Sequence, residues 1–232
     1  MKYAGALLAG LIVGGSLALT GLYYNPLTRA EAPLPGAEDW VLAYGSPLRD
    51  GLAFIHSGES RLPRQPLDSP VLWESTIDQT FLSLLLVNGA DGEPVGIASR
   101  ISFPSEDSEL LARGVIVTDQ WMITLPGEGS LFIHSESNLW PFLTETLLPV
   151  WYLGRPWDGP ATYSPTAGPG PEGAARAYGA TGRFAGLAGS AVERYRLVEF
   201  SERLGPEQFE AELFVNLAAV TLGPAATGIP AE

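Results

Sequence analysis

The chain contains no cysteine. Disulfides, thiolate metal centres, cysteine nucleophiles and a lipidated N-terminal cysteine are therefore excluded. Lysine is nearly absent: Lys2 stands alone and every other basic residue is arginine, a bias we attribute to a GC-rich genome. No N-x-Ser/Thr acceptor occurs, so N-glycosylation gives no support to a eukaryotic secreted protein. G-x-S-x-G, S-x-x-K and H-E-x-x-H are missing, as is any Walker lysine, which removes the commonest nucleophile, zinc and phosphate signatures. Basic residues are also scarce beside acidic ones, 13 against 26, for a net charge of -13. Nucleic acid, which is held through phosphate neutralisation, is excluded as a partner. Anionic headgroups would repel the folded part too, and the acidity favours solubility.

What is present begins with a run free of charge between Lys2 and Arg29. As a helix, Tyr3 to Tyr24 would span roughly 33 Å, the hydrocarbon thickness of a bilayer. Tyr23 and Tyr24 fall where interfacial aromatics sit, and Asn25-Pro26 stops the helix. Lys2 and the terminal amine favour a cytoplasmic N-terminus. The expected arrangement is a single-pass anchor (1–24) in the inner membrane with the remainder in the periplasm or outside. The competing reading is a signal peptide cleaved after Ser16-Leu17-Ala18, although the apolar run continues past that point. Ala6, Gly10, Gly14 and Ala18 recur every four residues, a stripe that permits self-association or a membrane partner.

Residues 25–39 are a Pro/Ala-rich linker without periodicity. From Trp40 onward short alternating runs dominate, and 40–222 is expected as one domain with a flexible tail, 223–232. In 93–103 the apolar residues are Val95, Ile97, Ile101 and Phe103, with Arg100 and Ser102 on the opposite face. In 113–125 Val115, Val117, Trp121, Ile123 and Leu125 share a face; in 208–217 Phe209, Ala211, Leu213, Val215 and Leu217 do so. Period two marks half-buried strands. Turns are expected at 88–92 and 126–129. Ser105 is expected to cap a short helix, Glu106 to Ala112, and 138–153 forms a second helical segment interrupted by Pro141 and Pro149. Residues 158–174, rich in Gly and Pro, read as a long exposed loop. This pattern specifies a mainly β protein, an antiparallel sandwich or barrel with one or two short helices.

The stretch 178–189, YGATGRFAGLAG, resembles a dinucleotide fingerprint only in composition. Its glycine spacing is wrong, and a strand pattern follows it instead of a helix. Gly179-Ala180-Thr181-Gly182-Arg183-Phe184 resembles instead the glycine turn of the allene oxide cyclase and dirigent barrel superfamily. That resemblance implies an eight-stranded barrel in which Phe184 plugs the interior beside Gly179, Gly182 and Arg183. Ala180 replaces a second glycine, and 138–177 is a long insertion. No catalytic residue of that family maps onto this chain.

Candidate chemistry is sparse. Asp119 falls on the apolar face of its strand, between Val117 and Trp121. A buried carboxylate there would serve as a general acid, or be neutralised by Arg100, Arg194 or Arg196, or turn to solvent at a bulge. Arg194 and Arg196 share a face and would hold an anionic ligand, or pair with surface acids. His56 and His134 occur in identical FIHS tetrapeptides; as a metal pair they lack a third ligand, so no metal and no cofactor is expected. Trp140, Phe142, Trp151, Tyr152, Arg155 and Trp157 make the most distinctive aromatic segment, either a contact surface or the core face of a plug. The reading that follows is a membrane-anchored barrel with a binding or scaffolding role. The alternative is an enzyme, cyclase-like, isomerase-like or hydrolytic, acting on a small apolar or anionic ligand in the barrel.

Overall fold

The structure, a computed structural model, describes residues 2–34, 40–45, 54–56, 80–202 and 205–220. The expected tail, 223–232, lies outside these residues. The chain opens with helix α1 (Lys2–Tyr23) and a 3-10 turn (Pro26–Arg29). Strands β1 (Trp40–Gly45), β2 (Phe54–His56), β3 (Phe81–Asn88), β4 (Pro94–Pro104), β5 (Ile116–Leu125) and β6 (Gly129–Asn138) come next. Helix α2 (Trp140–Phe142) then runs into a π-helix (Leu143–Tyr152), followed by β7 (Ala161–Tyr163), β8 (Ala175–Gly182), β9 (Leu187–Ser201) and β10 (Gly205–Ala219).

Strands β1, β10, β9, β8, β6, β5, β4 and β3 pair in that order, and β1 meets β3 through Ala43 and Asn88. The result is a closed eight-stranded antiparallel barrel, with β2 and β7 added at the side of β3 and β9. Closure removes the unpaired edges that an open sheet would expose. The interior is filled by alternate residues of each strand, among them Leu85, Ile123, Leu131, Ile133 and Val215, each 3% exposed or less.

Three expectations are corrected. On β4 the buried face is the even one: Gly96 and Ala98 point inward, while Val95, Ile97 and Ile101 are 38%, 55% and 40% exposed. Gly96 is needed there because a Cβ would lie 2.3 Å from the Thr124 carbonyl oxygen and 2.7 Å from the Leu125 side chain on β5. Residues 106–112 form turns and no helix. The amides of Ala112, Arg113 and Gly114 all bond the Glu109 carbonyl, and the Ser108 hydroxyl both accepts from the Ile116 amide and donates to its carbonyl. That clamp, closed by a Glu109–Gly114 bridge, competes with a helical ladder. The segment 158–174 is packed and not exposed: Tyr163 and Thr166 are 7% and 1% accessible. Its backbone bonds the lower end of β6, through Asn138 N to Pro165 O and Glu136 N to Gly168 O.

Pro149 leaves one gap in the π-helix ladder. The i→i+5 ladder would take the Thr144 carbonyl to residue 149, but Pro149 has no N–H. The orphaned carbonyl accepts instead from the Tyr23 hydroxyl at the end of α1, at 3.0 Å. Pro141, at the first turn, needs no such compensation.

Candidate functional site

Asp119 is the centre of a polar cluster inside the barrel. It is fully buried, as the inward parity of β5 requires. Its carboxylate accepts four hydrogen bonds: Arg100 Nε at 2.9 Å, Arg100 Nη2 at 2.8 Å, Ser102 Oγ at 2.5 Å and Ser137 Oγ at 2.5 Å. The fork of the guanidinium matches the two carboxylate oxygens, the strongest form of ion pair. Arg100 Nη1 reaches Glu193 Oε1 at 3.2 Å, and the Tyr44 hydroxyl donates to the same oxygen. Trp121 lies under the guanidinium, 4.8 Å from Cζ to the ring centroid. Buried charges survive only when matched in this way.

The electrostatics follow from that matching. Burial alone would pull the Arg100 guanidinium down, but the Asp119 and Glu193 carboxylates outweigh it and hold Arg100 well above its ordinary value. Burial, with Glu193 adding to it, pushes the Tyr44 phenol well above its usual range. Tyr195 is raised for the same reasons. Arg100 keeps one-fifth of its side chain accessible, 20%, while Asp119 shows none.

At the opposite, turn end the glycine corner builds the second feature. A Cβ on Gly179 would lie 1.6 Å from the Phe184 carbonyl oxygen. One on Gly182, at φ +61°, would lie 2.0 Å from the Glu128 oxygen. Phe184 is 0% exposed and packs edge-on against Trp40 at 5.1 Å. Arg183 lies outside, stacked on Trp40 at 3.9 Å and paired with Glu128. Beside this corner a half-open cavity of about 670 Å³ is lined by Trp40, Leu42, Val95, Leu125, Asp91 and Glu128, among others.

The other candidates fall elsewhere. Arg194 and Arg196 point outward on β9, where Glu212 and Glu210 on β10 approach them at 3.9 and 2.8 Å. His134 stands on the outer face of β6, and the side chain of His56 lies outside the described residues. Among the described residues no three acidic or histidine side chains gather as a metal site would require. Phe142, Trp151 and Trp157 turn inward onto Phe200, forming a second apolar cluster with Tyr163 and Leu197 that covers the lower barrel end. Trp140 is half-buried, and Tyr152 and Arg155 are exposed. Gly10, Gly14 and Ala18 sit on the open surface of α1.

Glu193, Tyr44, Ser102 and Ser137 are the residues that sequence reasoning missed. Period two places Glu193 between Ala191 and Tyr195, and Tyr44 beyond Trp40 and Leu42, on inward faces. Only the barrel closure, however, brings β1, β4, β5 and β9 to one point.

No protein-family model and no curated protein matches the chain. Solved structures that resemble it include two cyclases. One is a nonspecific heme-binding cyclase that catalyses [4+2] cycloaddition during neoabyssomicin biosynthesis, at 12% identity and TM-score 0.37, covering 86% of this chain and 73% of that one. The other is the Diels–Alderase AbmU from Streptomyces koyangensis, at 10% identity and TM-score 0.38, covering 82% and 66%.

Proposed function

We propose that the protein is a single-pass, membrane-tethered barrel whose folded domain lies on the extracytoplasmic side and binds a small ligand with apolar and polar groups at its turn end. The carrying observation is the half-open cavity of about 670 Å³ lined by Trp40, Leu42, Val95 and Leu125 together with Asp91 and Glu128, a lining as polar as it is apolar. Apolar side chains joined by a few placed polar groups are the usual lining of a small-molecule site. Glu128 is already matched by Arg183, and Asp91 Oδ1 accepts the Glu93 amide at 3.2 Å, which leaves the other Asp91 oxygen to orient a hydrogen-bond donor on the ligand. The tether rests on α1, the one helix among the described residues long and apolar enough to cross a bilayer, whose apolar window is not buried in the protein.

The test is small-molecule retention. Full-length protein purified in detergent should carry a ligand detectable by mass spectrometry. Val95→Arg, at a rim position 38% exposed, should cut its occupancy about tenfold, equivalent to ~1.4 kcal/mol. Equal retention by both proteins would remove the reading.

A second reading, catalysis on a small apolar or anionic substrate, is favoured by one observation: the accessible fifth of Arg100 beside Glu193 and Tyr44. Hydrogen-bonding groups held rigid in an apolar wall stabilise developing charge. Tyr44→Phe separates the two. An enzyme would keep its ligand and lose turnover, whereas a binder would show no turnover in either form.

A further inference from the structure

We propose that the lower end of the barrel is itself a lipid-contacting surface, seated in the interfacial zone of the same bilayer that α1 crosses. This rests on the tethered reading of α1 and goes beyond it, because a tether alone leaves the domain free to float.

Three contacts fix the end of α1 to the domain. Tyr23 donates to the Thr144 carbonyl at 3.0 Å, Asn25 Nδ2 donates to the Leu111 carbonyl at 2.5 Å, and Arg29 pairs with Glu145. The helix therefore leaves the bilayer against the π-helix and the 105–115 loop, not at the end of a free linker. Thr28, buried at 0% exposure, and the Asn138 side chain bonding its carbonyl at 2.6 Å continue that docking.

Whatever surrounds Tyr23 then stands at the level of the headgroups, and beside the Arg29–Glu145 pair those surroundings include exposed apolar side chains. Leu111, Tyr152 and Leu153 are 73%, 66% and 59% exposed, and Tyr24 and Leu27 are 71% and 66% exposed. Tyr152 and Leu153 lie at the C-terminal end of the same π-helix whose first turn meets α1. Exposed leucines in a soluble loop are ordinary singly; a set of them ringing the exit of a membrane helix marks a contact surface. Tyrosine with leucine is the composition of interfacial contact, an apolar body with a wet hydroxyl. The neighbouring acids Glu106, Asp107 and Glu109 stop the loop from sinking further and make the contact apolar rather than electrostatic, in keeping with a chain of charge -13. The consequence is orientation. Strand β5 rises from the 105–115 loop to Leu125 over ten residues, about 30 Å of strand. The cavity at its far end thus opens away from the lipid.

The absence of cysteine allows a clean experiment. Single variants Ile12→Cys, Leu111→Cys, Phe132→Cys and Tyr152→Cys of the full chain are labelled with an environment-sensitive fluorophore and reconstituted in zwitterionic vesicles. Quenching by lipids carrying a spin label is then measured. Positions 12, 111 and 152 should be quenched, the last two most strongly by a shallow label, while position 132 on the barrel wall, 46% exposed, should not. Quenching at 12 without 111 and 152 overturns the seated surface and leaves the tether standing. Absence of quenching at 12 overturns both.

Discussion

Tyr44 shows how much one side chain in this barrel carries. Its ring packs against Trp121 at 5.3 Å and its hydroxyl donates to Glu193, within a cluster where two carboxyl groups share one guanidinium. Removing that hydroxyl should cost about 1.5–3 kcal/mol at neutral pH, the range for a hydrogen bond to a charged partner. The sign with pH is fixed by the raised phenol. Folded and unfolded Tyr44 are both protonated below pH ~10, so the contribution is fully present there. It is lost as pH rises from that point through the higher folded value. Denaturant titrations of wild type and Tyr44→Phe should therefore differ most below pH ~10 and converge above it. A gap that widens with alkalinity would contradict the assignment. Residue by residue, legibility follows chemistry. Asp119 and Phe184 announce themselves, one as a carboxylate among apolar neighbours and the other as an aromatic in a glycine frame. Alternation puts Arg100 on the wrong side, because Val95, Ile97 and Ile101 outweigh it in the period-two pattern. A strand's two faces are identified that way; only the neighbours Trp121 and Asp119 decide which is inside.

At the scale of elements, the strands and the two hairpin turns at 88–92 and 126–129 are legible in the sequence, and the longer connections are not. Period two survives any tertiary context in a half-buried strand, whereas the 105–115 loop is shaped by Ser108 clamping Ile116 and the 158–174 segment by the open lower edge of β6. Both depend on partners outside the local pattern. The π-helix is a similar case, since Pro149 alone predicts a break and Tyr23 is what repairs it. This makes the repair testable by a double-mutant cycle. Tyr23→Phe should cost about 0.5–1.5 kcal/mol. In a Pro149→Ala background, where residue 149 can donate to the Thr144 carbonyl, the same change should cost measurably less, with a coupling of at least about 0.5 kcal/mol. Strict additivity would mean that the Tyr23 hydroxyl does not replace the missing donor.

For the whole molecule, the division is between a barrel that holds itself together and a helix that adds little to its core. The core cluster from Leu42 to Leu217 draws on every strand of the closed barrel and on nothing from α1. The apolar window of α1 is open along its length, so the helix gives the fold little beyond its terminal contacts. A chain beginning at Asn25 keeps Thr28, Arg29 and Ala32 in place against the barrel and forfeits chiefly the Tyr23 hydrogen bond. Its melting midpoint should fall by only about 2–4 °C per kcal/mol lost in a domain of this size. Its ligand retention should match that of the full chain, because the cavity lies at the far end of β5. Circular dichroism melts and mass spectrometry of the two forms check both. A midpoint lower by tens of degrees would show α1 to be part of the folding unit. Loss of the ligand with the fold intact would move the binding site to the end of the barrel that meets α1, away from Trp40 and Val95.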